Sequence, residues 1–146
     1  MSKPPAIPYA TTIHVRDRCL CLHAQRAARV LARRFDEALK PVGLTNGQFS
    51  LLMSLNRPEP PTMGAVAEVL AMDRTTLTAA LKPLQRRGLV EIAPDPADRR
   101  SRRVALTPEG EAALLGALPI WQREHDEIDA ALGDVSELRA GMLAIS

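Results

Sequence analysis

Arginine, lysine and threonine side chains with helical spacing give residues 73–85 the chemistry needed to contact DNA bases. Arginine can bond the O6 and N7 acceptors of guanine, and threonine can bond bases or phosphates while its methyl group touches thymine. The side chains predicted to point outward from this helix are those of Arg74, Thr75, Thr76, Thr78, Ala79 and Lys82. Such a helix is typical of the second, base-contacting helix of a helix-turn-helix.

Residues 95–103 form a second basic segment, with the composition of a β-hairpin. Beside Asp98 stand four arginines, Arg99, Arg100, Arg102 and Arg103. A hairpin tip of this width suits the minor groove or the flanking phosphates, where arginine is favoured. We expect Asp98 to hold one guanidinium through a bidentate pair. Without the neighbouring helix, the same segment would indicate only a solvated, charged hairpin.

Capping residues define the helices that position these two segments. Thr45 with Gln48 predicts a capping box at the start of one helix, and Thr62 is expected to cap a shorter one. Asp73 is expected to cap the base-contacting helix, and Gly88 to end it. A short helix, a tight turn and a second helix in this order predict a helix-turn-helix.

Strand-like sequences at residues 89–93 and 102–106 flank the predicted hairpin. Thr107 with Pro108 then predicts the start of a long helix that runs to about Leu132. The predicted fold class is therefore mainly α with a small β-hairpin, a winged helix-turn-helix joined to further helices.

Composition and charge exclude several classes of protein. The chain has 146 residues and only 3% aromatic residues, which argues against a single-strand binder that stacks bases. The net charge is +2, but residues 73–103 carry eight Lys/Arg against four acids, and residues 109–137 carry one against eight. No apolar run predicts a membrane span, and the polar, Pro-rich start differs from a signal peptide. With two cysteines, we expect a reduced, cytoplasmic protein.

The residues that could support catalysis or metal binding are not arranged for either. His14, His23 and His125 are scattered, without metal-like spacing to cysteines or carboxylates. Cys21 could act as a nucleophile, but His23 falls on a different helix face and no Cys/His or Ser/His/Asp pairing is visible. We therefore expect no enzyme activity, no cofactor and no metal.

Residues 70–110 resemble the DNA-binding core of the MarR family of bacterial regulators. The matching stretches are DRTTLT from Asp73, LQRRGLV from Leu84 and DRRSRRVALTPEG from Asp98. The resemblance implies a homodimer that binds double-stranded DNA at a pseudo-palindromic operator, with Arg100 in the groove and Asp98 as its partner. It also implies repression that is relieved by a small aromatic or lipophilic effector.

The same resemblance suggests how the chain is organised. We expect a flexible N-terminal arm over residues 1–16, a helical dimerisation region over residues 17–44 and 108–146, and a DNA-binding lobe over residues 45–107. Apolar residues recur at three- and four-residue steps along residues 17–40, which predicts one long helix there.

Cys21 resembles the reactive cysteine of the family's hydroperoxide-sensing branch, since it lies near the start of the first long helix. That branch supports its cysteine with tyrosines, whereas Phe35 and Asn46 occupy the corresponding positions here. A buried, small apolar role for Cys21 is therefore favoured. The alternatives to a ligand-controlled repressor are a peroxide-sensing repressor that uses Cys21, and a winged helix that binds protein instead of DNA.

Overall fold

The computed structural model describes residues 6–146, which divide after Arg34 into two compact units. Seven α-helices and one β-hairpin follow one another along this part of the chain. The helices are α1 Tyr9–Arg18, α2 Leu20–Leu39, α3 Asn46–Ser54, α4 Met63–Val69, α5 Arg74–Arg86, α6 Pro108–Leu132 and α7 Ser136–Ile145, and the strands are β1 Val90–Pro94 and β2 Arg102–Leu106. A 3-10 turn, Lys40–Val42, follows α2. The fold class predicted from the sequence is confirmed.

The N-terminal unit differs from the prediction in two ways. Tyr9 begins a helix inside the expected arm, so the arm is wrong over residues 9–16; its first five residues lie outside the described part. The expected long helix is interrupted at Cys19, whose backbone is extended at φ −70° and ψ 108°. The Cys19 thiol there accepts a hydrogen bond from the Leu22 N–H at 3.4 Å. No glycine or proline marks this interruption, so the helical periodicity of the sequence passes straight through it.

Side-chain caps begin the three helices α3, α4 and α5 of the lobe, residues 45–107, as predicted. Thr45 and Gln48 form the reciprocal capping box of α3, with both hydrogen bonds at 3.1 Å. The Thr62 hydroxyl accepts from the Ala65 N–H at 3.2 Å at the start of α4. Each cap satisfies a backbone N–H that the first helical turn leaves without a partner.

The wing, residues 90–106, is an antiparallel hairpin in which Ile92 pairs with Val104. Its first strand begins one residue later than predicted, and its second strand begins and ends as predicted. Gly88 precedes it at φ 71°, a left-handed conformation that glycine adopts without steric cost. Val104 is fully buried, which attaches the base of the wing to the apolar core.

The core lies where the lobe helices meet α6 and the end of α2. Its fully buried leucines are Leu39, Leu52, Leu77, Leu81 and Leu84. Exposed apolar side chains lie along α1 and α2 and also along α6 and α7; those of α6 and α7 include Leu115, Leu132, Leu138, Met142, Leu143 and Ile145. Within residues 6–146, no helix is long and apolar enough to cross a membrane.

Candidate nucleic-acid interface

Helix α5 has one buried and one exposed face, as a base-contacting helix requires. Leu77, Leu81 and Leu84 are completely buried beneath it. The opposite face is exposed and carries the predicted DNA-contacting residues, Arg74, Thr75, Thr76, Thr78 and Lys82. The apolar face fixes the helix on the lobe, and the polar face is left for a ligand.

The threonines of α5 differ in what their hydroxyl groups do. Thr76 donates to Asp73 at 2.9 Å, and Thr78 donates to the Arg74 carbonyl at 2.8 Å. The Thr75 hydroxyl makes no hydrogen bond to the described residues. Thr75 is therefore the threonine whose donor is available to a base or phosphate, whereas Thr76 helps to start the helix.

Asp73 caps α5 by accepting a hydrogen bond from the Thr76 N–H at 2.7 Å. This bond, together with that from the Thr76 hydroxyl, lowers the pKa of the Asp73 carboxyl. The carboxylate therefore stays charged at neutral pH and complements the positive end of the helix dipole.

Arg74 lies close to the start of α4. Its Nη2 atom is 3.3 Å from the point that a side-chain carbon would occupy on Gly64. The guanidinium remains exposed in this position. Gly64 thus leaves room for Arg74, a relationship between two helices that the sequence did not reveal.

Arg87, at the end of α5, was not among the predicted site residues. Its Nη1 atom donates to the Gly43 carbonyl at 2.7 Å. Gly43 has a φ of 69° and ends the 3-10 turn after α2. Arg87 therefore connects the end of α5 to the turn that precedes α3, although local sequence gave no signal of this contact.

The wing tip, residues 95–101, exposes the predicted side chains of Asp98, Arg99 and Arg100, and Arg102 is exposed beside it. The expected pairing of Asp98 with a guanidinium is wrong in this structure. Asp98 instead accepts a hydrogen bond from the backbone N–H of Arg100 at 2.9 Å. An aspartate that bonds the backbone two residues later stabilises a tight turn, so Asp98 shapes the tip.

Asp95 takes the role that we had expected of Asp98. Its carboxylate is 7% exposed and accepts from Arg103 Nε at 3.0 Å and from the Ala97 N–H at 3.1 Å. The Ala97 N–H, and then the Arg103 guanidinium, lower the pKa of Asp95. Arg103, one of the four arginines of the predicted hairpin, is thus engaged inside the protein. The two acids are three residues apart, and only the fold distinguishes them.

A second site is a small aromatic cavity of about 120 Å³ between α2, α3 and α6. His125 lies between two rings, with its centroid 4.9 Å from Phe35 and 4.4 Å from Trp121. Asn46, at its edge, donates twice to Asp36, through its backbone and its side chain. Both bonds lower the pKa of Asp36.

The cysteines lie in the N-terminal unit. Cys21 is exposed in the first turn of α2, so the favoured interpretation of a buried side chain is wrong for the single chain. Cys19 is partly buried at the helix interruption. No three His, Cys, Asp or Glu residues of the described part lie together in a way that could hold a metal ion.

Comparisons with known proteins agree with this geometry. The model of the MarR family matches residues 42–101. The chain is 36% identical to the transcriptional repressor NicR of Pseudomonas putida over 58% of its length, and this match spans 53% of NicR, about half. It is 34% identical to the transcriptional regulator HosA of Escherichia coli over 65% of its length and 71% of HosA.

The structure is also similar to the regulator MosR of M. tuberculosis, crystallised in complex with DNA. The TM-score is 0.81 at 39% sequence identity, and the superposition covers 88% of this chain and 93% of MosR. The similarity therefore extends well beyond the segment matched by the family model.

Proposed function

This chain belongs to the MarR family of DNA-binding transcriptional regulators, and from that premise we propose that it is a homodimeric repressor of a pseudo-palindromic operator. In this proposal, α5 enters the major groove and the wing tip enters the adjacent minor groove. Arg74 and Thr75 contact bases, Arg100 contacts the minor groove, and the remaining exposed cations contact phosphates: Lys82, Arg99 and Arg102.

The observation that carries the proposal is the pairing of two exposed basic surfaces on one lobe. Arg74 and Lys82 project from the exposed face of α5, and Arg99, Arg100 and Arg102 project from the wing. A buried apolar face beneath α5 and the buried base of the wing hold both surfaces on the same core. Two separate basic elements on a shared core suit the two grooves of a duplex better than a random charged surface.

The dimer is supported by apolar surface that one chain leaves uncovered. Leu138, Met142, Leu143 and Ile145 of α7 are all more than half exposed. Large exposed apolar patches mark interaction surfaces in proteins. We propose that residues 17–44 and 108–146 form the dimerisation region and that residues 45–107 form the DNA-binding lobe. A two-fold dimer would place its two lobes on half-sites about one helical turn apart.

Selection of bound sequences from a random duplex library tests the proposal. We expect an inverted repeat, and we expect the affinity for a selected duplex to fall steeply with salt because several phosphates are contacted. Arg100→Ala and Arg74→Ala should each weaken binding about tenfold or more. Arg57→Ala removes an exposed arginine of residues 45–107 that is not among the predicted DNA contacts and serves as the matched control.

Three results would contradict the proposal. These are recovery of no preferred sequence, binding that is independent of salt, or unchanged affinity in both arginine variants. Any of them would favour the alternative in which the winged helix docks a protein partner.

We propose that the aromatic cavity binds the effector, a small aromatic or lipophilic anion. Phe35, Phe49, Trp121 and His125 line it, and such rings suit a planar aromatic ligand. Trp121 is the single tryptophan of the chain, so its fluorescence reports occupancy directly. Titration with salicylate should change this fluorescence and release DNA in the same concentration range. Release without any change of Trp121 fluorescence would place the effector elsewhere.

The exposure of Cys21 favours a second candidate, control by hydroperoxide. The cavity residues Phe35 and Asn46 stand where the peroxide-sensing branch has tyrosines, which argues against it. Treatment with cumene hydroperoxide should then release DNA from the wild type but not from Cys21→Ser. Equal release from both proteins would exclude Cys21 as the sensor.

A further inference from the structure

We infer that Arg103 and Asp95 are positioning residues that set the orientation of the wing over DNA, and that Arg103 does not contact a phosphate. This inference rests on the proposed function, because it assumes that the wing enters the minor groove. It adds two residues to the DNA-binding machinery and gives them a role distinct from that of the neighbouring arginines.

Arg103 joins the wing to a segment of the lobe that is distant in sequence. Its Nε atom donates to Asp95 at 3.0 Å, and its Nη1 atom donates to the Pro60 carbonyl at 2.5 Å. Asp95 begins the wing tip, whereas Pro60 lies in the segment between α3 and α4. One guanidinium thus connects the tip of the wing to the helix-turn-helix.

The backbone beside Arg103 reinforces the same connection. The Val104 N–H donates to the Pro61 carbonyl at 3.0 Å, and Thr62 forms an isolated antiparallel bridge with Arg103. Thr62 is also the cap of α4. Strand β2 is therefore attached to the residues at which the helix-turn-helix begins, and a change in this attachment would tilt the wing.

The electrostatic surroundings of Arg103 oppose a phosphate contact. Arg103 lines an open groove together with Glu59, Glu91 and Asp95, and the remaining described residues of its lining carry no charge. Three carboxylates around one guanidinium repel a phosphate. The Arg103 side chain is 32% exposed, whereas Arg99, Arg100 and Arg102 stand free on the surface.

A positioning role and a phosphate-contacting role for Arg103 predict opposite changes in DNA affinity when Asp95 loses its charge. If Arg103 only positions the wing, Asp95→Asn loosens the wing and weakens DNA binding. If Arg103 can reach a phosphate, Asp95→Asn frees its charge, so binding becomes tighter and more dependent on salt. The sign of the effect separates the two roles without reference to its size.

The experiment measures the affinity of Asp95→Asn, Arg103→Gln and the double variant for a duplex selected by the wild type, over a series of salt concentrations. We expect each single variant to bind about tenfold more weakly, since each loses charge-assisted hydrogen bonds. The double variant should bind the duplex no more weakly than the weaker-binding single variant does, because both residues act through one contact. The dependence on salt should stay that of the wild type.

Arg102→Gln is the matched control, since Arg102 is the exposed neighbour of Arg103. As a phosphate contact it should lose affinity and also reduce the salt slope by about one for each protomer. A reduced slope in Arg103→Gln, or tighter binding by Asp95→Asn, would overturn the inference. Failure of the wild type to bind any duplex would overturn the proposed function instead.

Arg103→Lys keeps the inference testable if the glutamine variant unfolds. Lysine retains the positive charge but cannot donate hydrogen bonds to Asp95 and to the Pro60 carbonyl in the fixed geometry of a guanidinium. We expect a loss of affinity with an unchanged salt slope, together with loss of hydroxyl-radical protection at the wing position of the duplex. Wild-type affinity in this folded variant would show that charge alone suffices, and would overturn the positioning role.

Discussion

The base-contacting helix and the wing are held on the same lobe by different forces. Helix α5 rests on Leu77, Leu81 and Leu84, which are fully buried. The tip of the wing depends instead on the Asp95–Arg103 ion pair and on the Pro60 carbonyl. Burial of the leucines is non-directional and scales with the apolar surface removed from water, whereas the ion pair of Asp95 and Arg103 depends on the geometry of charge-assisted hydrogen bonds. Helix α5 is therefore sensitive to loss of apolar volume, and the wing tip is sensitive to loss of charge or of hydrogen-bonding geometry.

The largest expected change in stability comes from the buried leucines of α5. Leu81→Ala removes a fully buried side chain beneath α5 and should lower the free energy of unfolding by about 2–5 kcal/mol. Urea denaturation followed by circular dichroism measures this loss. Val69→Ala, at a position that is 60% exposed in the same lobe, should change it by less than about 0.5 kcal/mol. Equal losses in the two variants would contradict the anchoring role of the leucines.

The base of the wing is constrained by close backbone packing, which gives the next largest effect. A methyl group on Gly110 would clash with the backbone carbonyl oxygen of Leu89. Gly110→Ala should therefore destabilise the lobe by about 1–3 kcal/mol, as measured by thermal unfolding. Gly116→Ala, on the same helix and with only ordinary contacts, should stabilise it by about 0.5–1 kcal/mol. If Gly110→Ala and Gly116→Ala changed the stability in the same direction, close packing at Gly110 would be refuted.

Thr62 caps α4 and also pairs with Arg103 of the wing. Its cap contributes less to the free energy of unfolding than the two features above. Thr62→Ala removes the hydroxyl that accepts from the Ala65 N–H and should cost about 1 kcal/mol of stability. Thr62→Ser keeps that oxygen and should stay close to the wild type in the same denaturation experiment. If serine fails to restore stability, the loss in Thr62→Ala comes from the missing methyl group and not from the cap.

Protonation of Asp95 should weaken the contacts of the wing tip only well below neutral pH. This is the smallest of the expected changes in stability. The pKa of Asp95 is lower in the folded protein than its ordinary value of 3.8. Its contribution to stability is therefore complete above the unfolded value and is lost as the pH falls through the folded value. The Ala97 amide resonance should stay constant down to about pH 4 and shift below it. A shift near pH 6 would contradict this assignment.

Much of the fold followed from contacts between residues that are close in sequence. The caps of α3, α4 and α5 each join residues three apart, so the residue types alone predicted them. The alternation of β2 and the Thr107–Pro108 start of α6 were equally local signals. The interruption at Cys19 was missed, because no residue type there disfavours a helix.

The candidate site was predicted less completely, since its supporting contacts join distant residues. The exposed side chains of α5 and of the wing tip lie where the sequence predicted. The prediction of which acid holds an arginine was wrong, because Asp95 and Asp98 both lie in the hairpin near several arginines and the packing of the wing sets their partners. The aromatic cavity was also missed, since Phe35, Phe49 and Trp121 come from three separate helices.

The sequence by itself determined which helix and which hairpin present basic side chains, because capping and periodicity act within a few residues. Only the tertiary structure decided which of those side chains remain free. Arg103 meets a carbonyl 43 residues away, and Arg87 meets one 44 residues away. Contacts of this span depend on how the helices pack, so no local pattern distinguishes a positioning arginine from one left for DNA.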